Sequence, residues 1–132
     1  MGNYSSLDGR IEIDPPLPWS AVAETDYVGD IGALRGVWFE LDVKSRWEGD
    51  DEIVTRRAVA VVGEEESRKH YELEDHLREI AELIGPDRDT VGWLIREGDE
   101  QGDIQRYGIR RGKLVTEKAD VRWPDGSLVY RN

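Results

Sequence analysis

Arg10-Ile11-Glu12-Ile13-Asp14-Pro15-Pro16-Leu17-Pro18-Trp19-Ser20-Ala21-Val22 lays a strand, a corner and a helix start end to end. Ile11 and Ile13 alternate with Glu12 and Asp14, the period of a strand with one dry face. Pro15, Pro16 and Pro18 then remove three backbone donors, which ends the expected strand and stiffens the corner. Pro18 suits the first turn of a helix, where its missing N–H has no partner to lose, and Leu17 and Trp19 supply apolar surface to pin the corner. This predicts a strand up to Asp14, a helix of about two turns from Trp19, and a cost of roughly 3–5 kcal/mol for Trp19→Ala with the ring buried.

Upstream, residues 1 to 9 are small and polar and read as a loose lead or an edge strand. Downstream, Gly29, Gly32 and Gly36 among Tyr27, Val28, Ile31 and Leu34 predict a loop with buried anchors over Thr25 to Gly36. Val37, Phe39, Leu41, Val43 and Trp47 share one face of a long strand, and Glu40, Asp42, Lys44 and Arg46 share the other. Trp38 sits with the charges, so it either packs under a neighbouring loop or anchors a partner. Glu48, Gly49, Asp50, Asp51 and Glu52 form an acidic turn that returns the chain as Ile53 to Val62, making a hairpin.

Glu64, Glu65 and Glu66 place negative charge at or before a helix start, with Ser67 as an N-cap, and Leu73, Leu77, Ile80, Ala81 and Ile84 form the apolar stripe. Gly85 and Pro86 stop that helix. Val91, Trp93 and Ile95 share a face of a strand over Thr90 to Glu97, with Leu94 between them. A second hairpin pairs Ile104 to Arg110 with Leu114 to Trp123 through a turn at Gly112, and Leu128 to Tyr130 adds strand-like residues after the Trp123 to Gly126 turn. The order predicts an α+β fold: a mainly antiparallel sheet of about five to six strands, one long and one short helix on one face, and ferredoxin-like topology plus a C-terminal hairpin.

Bulk properties bound the function. A chain of 132 residues is one domain by size, 1–132, with a core large enough to need no metal or disulfide staple. It has no cysteine, which excludes a thiolate nucleophile and a zinc ribbon and fits a reducing cytoplasm. Charges at Asp8, Arg10, Glu12 and Asp14 interrupt any early membrane span or signal peptide. With 29 acidic against 18 basic residues the net charge is −11, which argues against nucleic acid as a bulk ligand. The balance is uneven: residues 1–104 hold 11 Lys and Arg against 26 Asp and Glu, whereas residues 105–132 hold 7 against 3, so the two parts are expected to attract.

No constellation carries catalysis. His70 and His76 are the only histidines, and Glu72, His76 and Glu79 share a helix surface, but one helix cannot surround a metal, so no metal and no cofactor is assigned. No serine sits on a nucleophile elbow and no carboxylate pair stands out, so no catalytic residue is assigned. Arg106, Arg110, Arg111 and Lys113, interleaved with Tyr107, are the candidate anion-binding residues, with Lys118 and Arg122 beyond them. The plainer reading pairs them with the acidic remainder.

The Gly9 to Val22 run, together with Thr55 to Val62, His76 to Ile80 and Val121 to Gly126, resembles a family of small uncharacterised proteins from actinobacteria and their phages. That resemblance implies no activity, catalytic residue or cofactor, and Thr25 to Gly36 departs from its pattern. It implies a phage or bacterial context in which an accessory protein acts on a host protein. The expected function is a cytoplasmic, non-enzymatic binding protein for a host or bacterial protein, with Trp38 as an anchor. The alternatives are a DNA mimic built from the carboxylates of residues 48–52, 64–66 and the helix, and a nucleotide or small-ligand binder or enzyme using the basic hairpin.

Overall fold

The computed structural model describes residues 4–70 and 72–129. Its strands are β1 (Tyr4–Pro18), β2 (Val37–Glu48), β3 (Asp51–Gly63), β4 (Arg68–Lys69), β5 (Asp89–Gly98), β6 (Ile104–Arg110) and β7 (Lys113–Lys118). The helices are α1 (Trp19–Val22), α2 (Gly29–Arg35) and α3 (Leu73–Ile84). One seven-stranded sheet runs β2-β3-β1-β5-β6-β7, with β4 on β1, and every ladder is antiparallel. The run β5-β1-β3-β2 is the ferredoxin-like order, and β6–β7 extends it past β5. No helix among the described residues is long and apolar enough to cross a membrane.

β1 departs from its sequence reading at both ends. It is no loose lead from Tyr4 onward: Leu7 is fully buried and the strand lies in the middle of the sheet, while residues 1–3 lie outside the described set. Nor do the prolines end it. The β1–β3 register shifts between Glu12, opposite Ala60, and Leu17, opposite Ala58, so Pro15 and Pro16 occupy an irregular stretch where the ladder needs no donor. The helix after them is a single turn, Trp19–Val22. Leu17 is buried and Trp19 only partly so, with the Arg56 guanidinium 5.3 Å from its ring, so Leu17 pins the corner.

The glycine-rich segment holds a helix rather than a loop. α2 ends at Gly36 in the left-handed conformation, with its N–H bonded to Gly32 and Ala33 carbonyls, the usual helix stop. Arg68 donates 2.8 Å bonds to the Ala33 carbonyl and to that of Leu34. α3 also starts later than its charges suggest: Arg68 and Lys69 pair with β1, and Glu72, at φ 57, precedes Leu73 without a side-chain cap. Past β7, Leu128 makes an isolated bridge to Arg122, and Tyr130 lies outside the described residues.

The core lies on one face only. Leu73, Leu77, Ile80, Ala81 and Ile84 of α3 pack with Leu7, Ile11, Ile13, Leu17, Val37, Phe39, Leu94, Tyr107 and Ile109. The β2–β3 hairpin runs beyond that core. Val43, Trp47 and Val54 are exposed, and the acidic turn at Gly49 is its far tip.

Candidate functional site

Strand parity divides β5 in a way its composition hides. Gly92 and Leu94 point into the core, where Leu94 is fully buried, while Val91 and Ile95 stand 66% and 44% exposed on the opposite face with Trp93 half-buried between them. The three large apolar side chains therefore face away from α3. This open face is the candidate site.

The registers build it row by row. Trp38 of β2 lies opposite Val62 of β3, Val62 opposite Arg10 of β1, and Arg10 opposite Trp93 of β5. The adjacent row is Glu40, Ala60, Glu12 and Val91, and on the other side Asp8, Ile95, Arg106 and Glu117 form a third. Arg10 is held by Glu40 at 2.7 Å and Glu12 at 3.6 Å. Glycine makes the crossing possible at Gly92, φ +111, where a Cβ would press on the Arg10 carbonyl; Gly9, φ +95, stands in the same relation to the Trp93 carbonyl.

The four basic candidates divide between two places. The Arg106 and Arg110 guanidiniums lie 4.0 Å and 5.0 Å from the Trp93 ring, whose edge passes over Gly108. Arg106 is also paired with Glu117 at 2.8 Å, and Arg110 donates to its neighbour's carbonyl, that of Ile109, at 2.8 Å. Arg111 and Gly112, both with positive φ, form the turn, which abuts the end of α3: a Cβ on Gly112 would meet the Gly85 carbonyl carbon at 3.0 Å. α3 has no basic residue in its last turn, so Arg111 and Lys113 bring positive charge toward a negative helix end. Among the described residues Arg110, Arg111 and Lys113 have no carboxylate partner, and Arg122 pairs with Asp120. Among the described residues no ion pair joins the basic part to the acidic part. Trp38 is half-buried, its Cβ close against Gly32 of α2.

Other polar groups are engaged with one another. A cleft of about 510 Å³ near the start of α3 is lined by His70, Glu72, Arg96, Asp103, Gln105 and Tyr107. There Arg96 holds Asp103 in a two-pronged pair at 2.8 and 3.3 Å, and the Tyr107 hydroxyl donates to Gln105 at 2.9 Å. Burial works against the Arg96 charge, but Asp103 and Tyr107 together outweigh it and raise the guanidinium pKa, while burial raises that of Tyr107. His70 Nδ1 meets Ser5 Oγ at 2.7 Å, its Nε2 is buried without a partner among the described residues, and burial lowers its pKa. Ser5 is itself buried. His76 and Glu79 meet Tyr27, which the sequence marked only as a buried anchor: its hydroxyl donates to Glu79 at 2.5 Å, leaving His76 Nδ1, 3.0 Å away, to donate to that hydroxyl oxygen.

The open face was hidden because alternation shows which residues share a side without saying which side is dry. The one available signal was Gly92 beside Leu94, since a glycine-bearing face packs close to other backbone. No curated protein and no solved structure matches the chain. A family model matches residues 1–131, and the chain belongs to that family of unknown function, DUF6205.

Proposed function

We propose that this protein is a small, acidic, non-enzymatic binding module that engages another protein through the open face of its sheet. The observation behind this reading is β5, which turns Val91, Trp93 and Ile95 outward in the middle of a sheet while the other face is covered. Exposed apolar stripes rimmed by charge are features of interaction surfaces, and Trp with Arg is the composition of binding hot spots. Trp38 stands at the far end of the Trp93 row as a second anchor. Within this reading the partner is a host or bacterial protein, and the chain acts as an accessory factor in the cytoplasm.

The alternatives draw less support. The acidic runs at residues 48–52 and 64–66 lie at opposite ends of β3, whose length of 13 residues separates them by roughly 40 Å, and Glu12, Glu40 and Asp42 between them are already paired with arginines, which weakens the negative field a mimic needs. A small ligand needs a concave site: Arg110 and Trp93 lie on an open sheet surface, and in the hollow of about 270 Å³ beside Arg106 that cation is already paired with Glu117. Parallel affinity capture from an actinobacterial lysate, with the wild type and with Trp93→Ala, tests the proposal. A saturable protein partner lost on the variant is the expected result. Equal capture by both would place the interface elsewhere, and retention of a metabolite in place of a protein would overturn the reading.

A further inference from the structure

Charge on the open face is segregated by the apolar stripe of β5. On β1, the strand on one side of the stripe, stand Asp8, Glu12 and Asp14 against one cation, Arg10; on β6, the strand on its other side, stand Arg106 and Arg110 with no carboxylate. One flank is net −2 and the other net +2. A face arranged in this way is complementary to itself, but only about one axis.

Two copies packed face to face are related by a two-fold axis lying in the interface. An axis across the strands, through Trp93, sets each flank against its own kind: Asp8 meets Glu12 and Arg106 meets Arg110. An axis along β5 sets each flank against its opposite. Asp8 is level with Ile95 and Ile95 with Arg106, so Asp8 of one copy lies over Arg106 of the other. Glu12 is level with Val91, and continuing the β5–β6 register places Arg110 level with Val91, so Glu12 lies over Arg110. Arg10 then falls over Gly108, the one position on that strand with no side chain to oppose it. The stripe of one copy covers the stripe of the other, as in a two-sheet sandwich, and the usual inclination of about 30° between packed sheets is within the reach of arginine side chains.

From this layout we infer that, in the absence of its partner, the open face is covered by a second copy of this chain, with the two-fold axis along β5, so that self-association competes with partner binding. The inference rests on the open-face reading and adds to it both an occupant and a means of regulation. Each copy carries a net charge of −11, but charge outside the contact is screened over about 8 Å at physiological salt, whereas facing pairs are not.

Sedimentation equilibrium at physiological salt tests it, across concentrations up to the solubility limit and with thermal melts to verify folding. The wild type should dimerise reversibly. The double variants Arg106→Glu/Arg110→Glu and Asp8→Lys/Glu12→Lys should each weaken the dimer by roughly tenfold or more. Mixed together they should form a heterodimer, because each then presents the charges the other lacks, and the chain carrying all four changes should self-associate again. A wild type that stays monomeric overturns the inference while leaving the partner-capture test of the open face intact. A dimer indifferent to both reversals, or one that mixing fails to restore, overturns it as well.

Discussion

Removing one oxygen, by Tyr27→Phe, tests how the segment before α2 is tied to α3. The Tyr27 ring is fully buried, and its hydroxyl donates to the Glu79 carboxylate while accepting from His76 Nδ1. A hydrogen bond to a charged group contributes about 1.5–3 kcal/mol, and because Glu79 is exposed and regains water when released, the lower part of that range applies, about 1.5–2 kcal/mol. At this chain length that lowers Tm by roughly 5–10 °C. The same site fixes a pH dependence. Burial, reinforced by Glu79, holds the Tyr27 pKa well above its ordinary value of 10.0. The raised value makes its stabilising contribution complete below pH 10 and lost above it, because the unfolded chain releases the proton first, at about 1.4 kcal/mol per pH unit. The gap between wild type and variant should therefore be constant through neutral pH and shrink to about half a kcal/mol or less near pH 11. Paired thermal melts from neutral to alkaline pH read this directly, with every other titrating group common to both proteins. A gap that stays constant into that alkaline range, or a Phe variant as stable as wild type at neutral pH, refutes the reasoning.

Neighbouring residues on β5 should respond oppositely: Leu94→Ala should cost about 2–5 kcal/mol in urea denaturation and Trp93→Ala less than half as much, since the indole lies outside the core. Equal losses would place Trp93 inside. Gly92→Ala, at φ +111 and against the Arg10 carbonyl, should destabilise by about 1–3 kcal/mol, and a neutral result in the same assay would show that the two strands do not approach as described. Leu17→Ala should cost more than Trp19→Ala, because the leucine is the buried member of the corner; the reverse order in thermal melts would restore Trp19 as its anchor.

The strand order, the long helix and both hairpins are legible because each has a local cause. Ile11 with Ile13, the α3 stripe closed by Gly85 and Pro86, and the acidic and basic turns all act within a few residues of themselves. What was not legible depends on distant partners. Ser5 and Leu7 look like a loose lead until β3, β4 and β5 are placed beside them. Pro15 and Pro16 look like a strand end because a break in register can be recognised only from the opposite strand. Residues 29–35 make a helix despite two glycines within it, since tertiary context outweighs propensity. At the candidate site, Arg106 and Arg110 were visible as cations and Trp93 as a strand residue. Their meeting required the β5–β6 register, and the exposure of Val91 and Ile95 required knowing that α3 lies on the other side.

The central place of β1 also bears on how the molecule is made. Its partners on one side come from the far part of the chain: Asp14 lies opposite Asp89, and Ser5 opposite Gly98. During synthesis the β2–β3 hairpin can close early over Gly49, but β1 has no neighbour on its β5 side until the ribosome has passed Gly98. Pairings so distant in sequence give a high contact order and slow assembly. Until they form, the nascent chain carries an unpaired strand edge beside Leu7, Ile11 and Ile13, the surface that chaperones shield and that other unfinished chains can join.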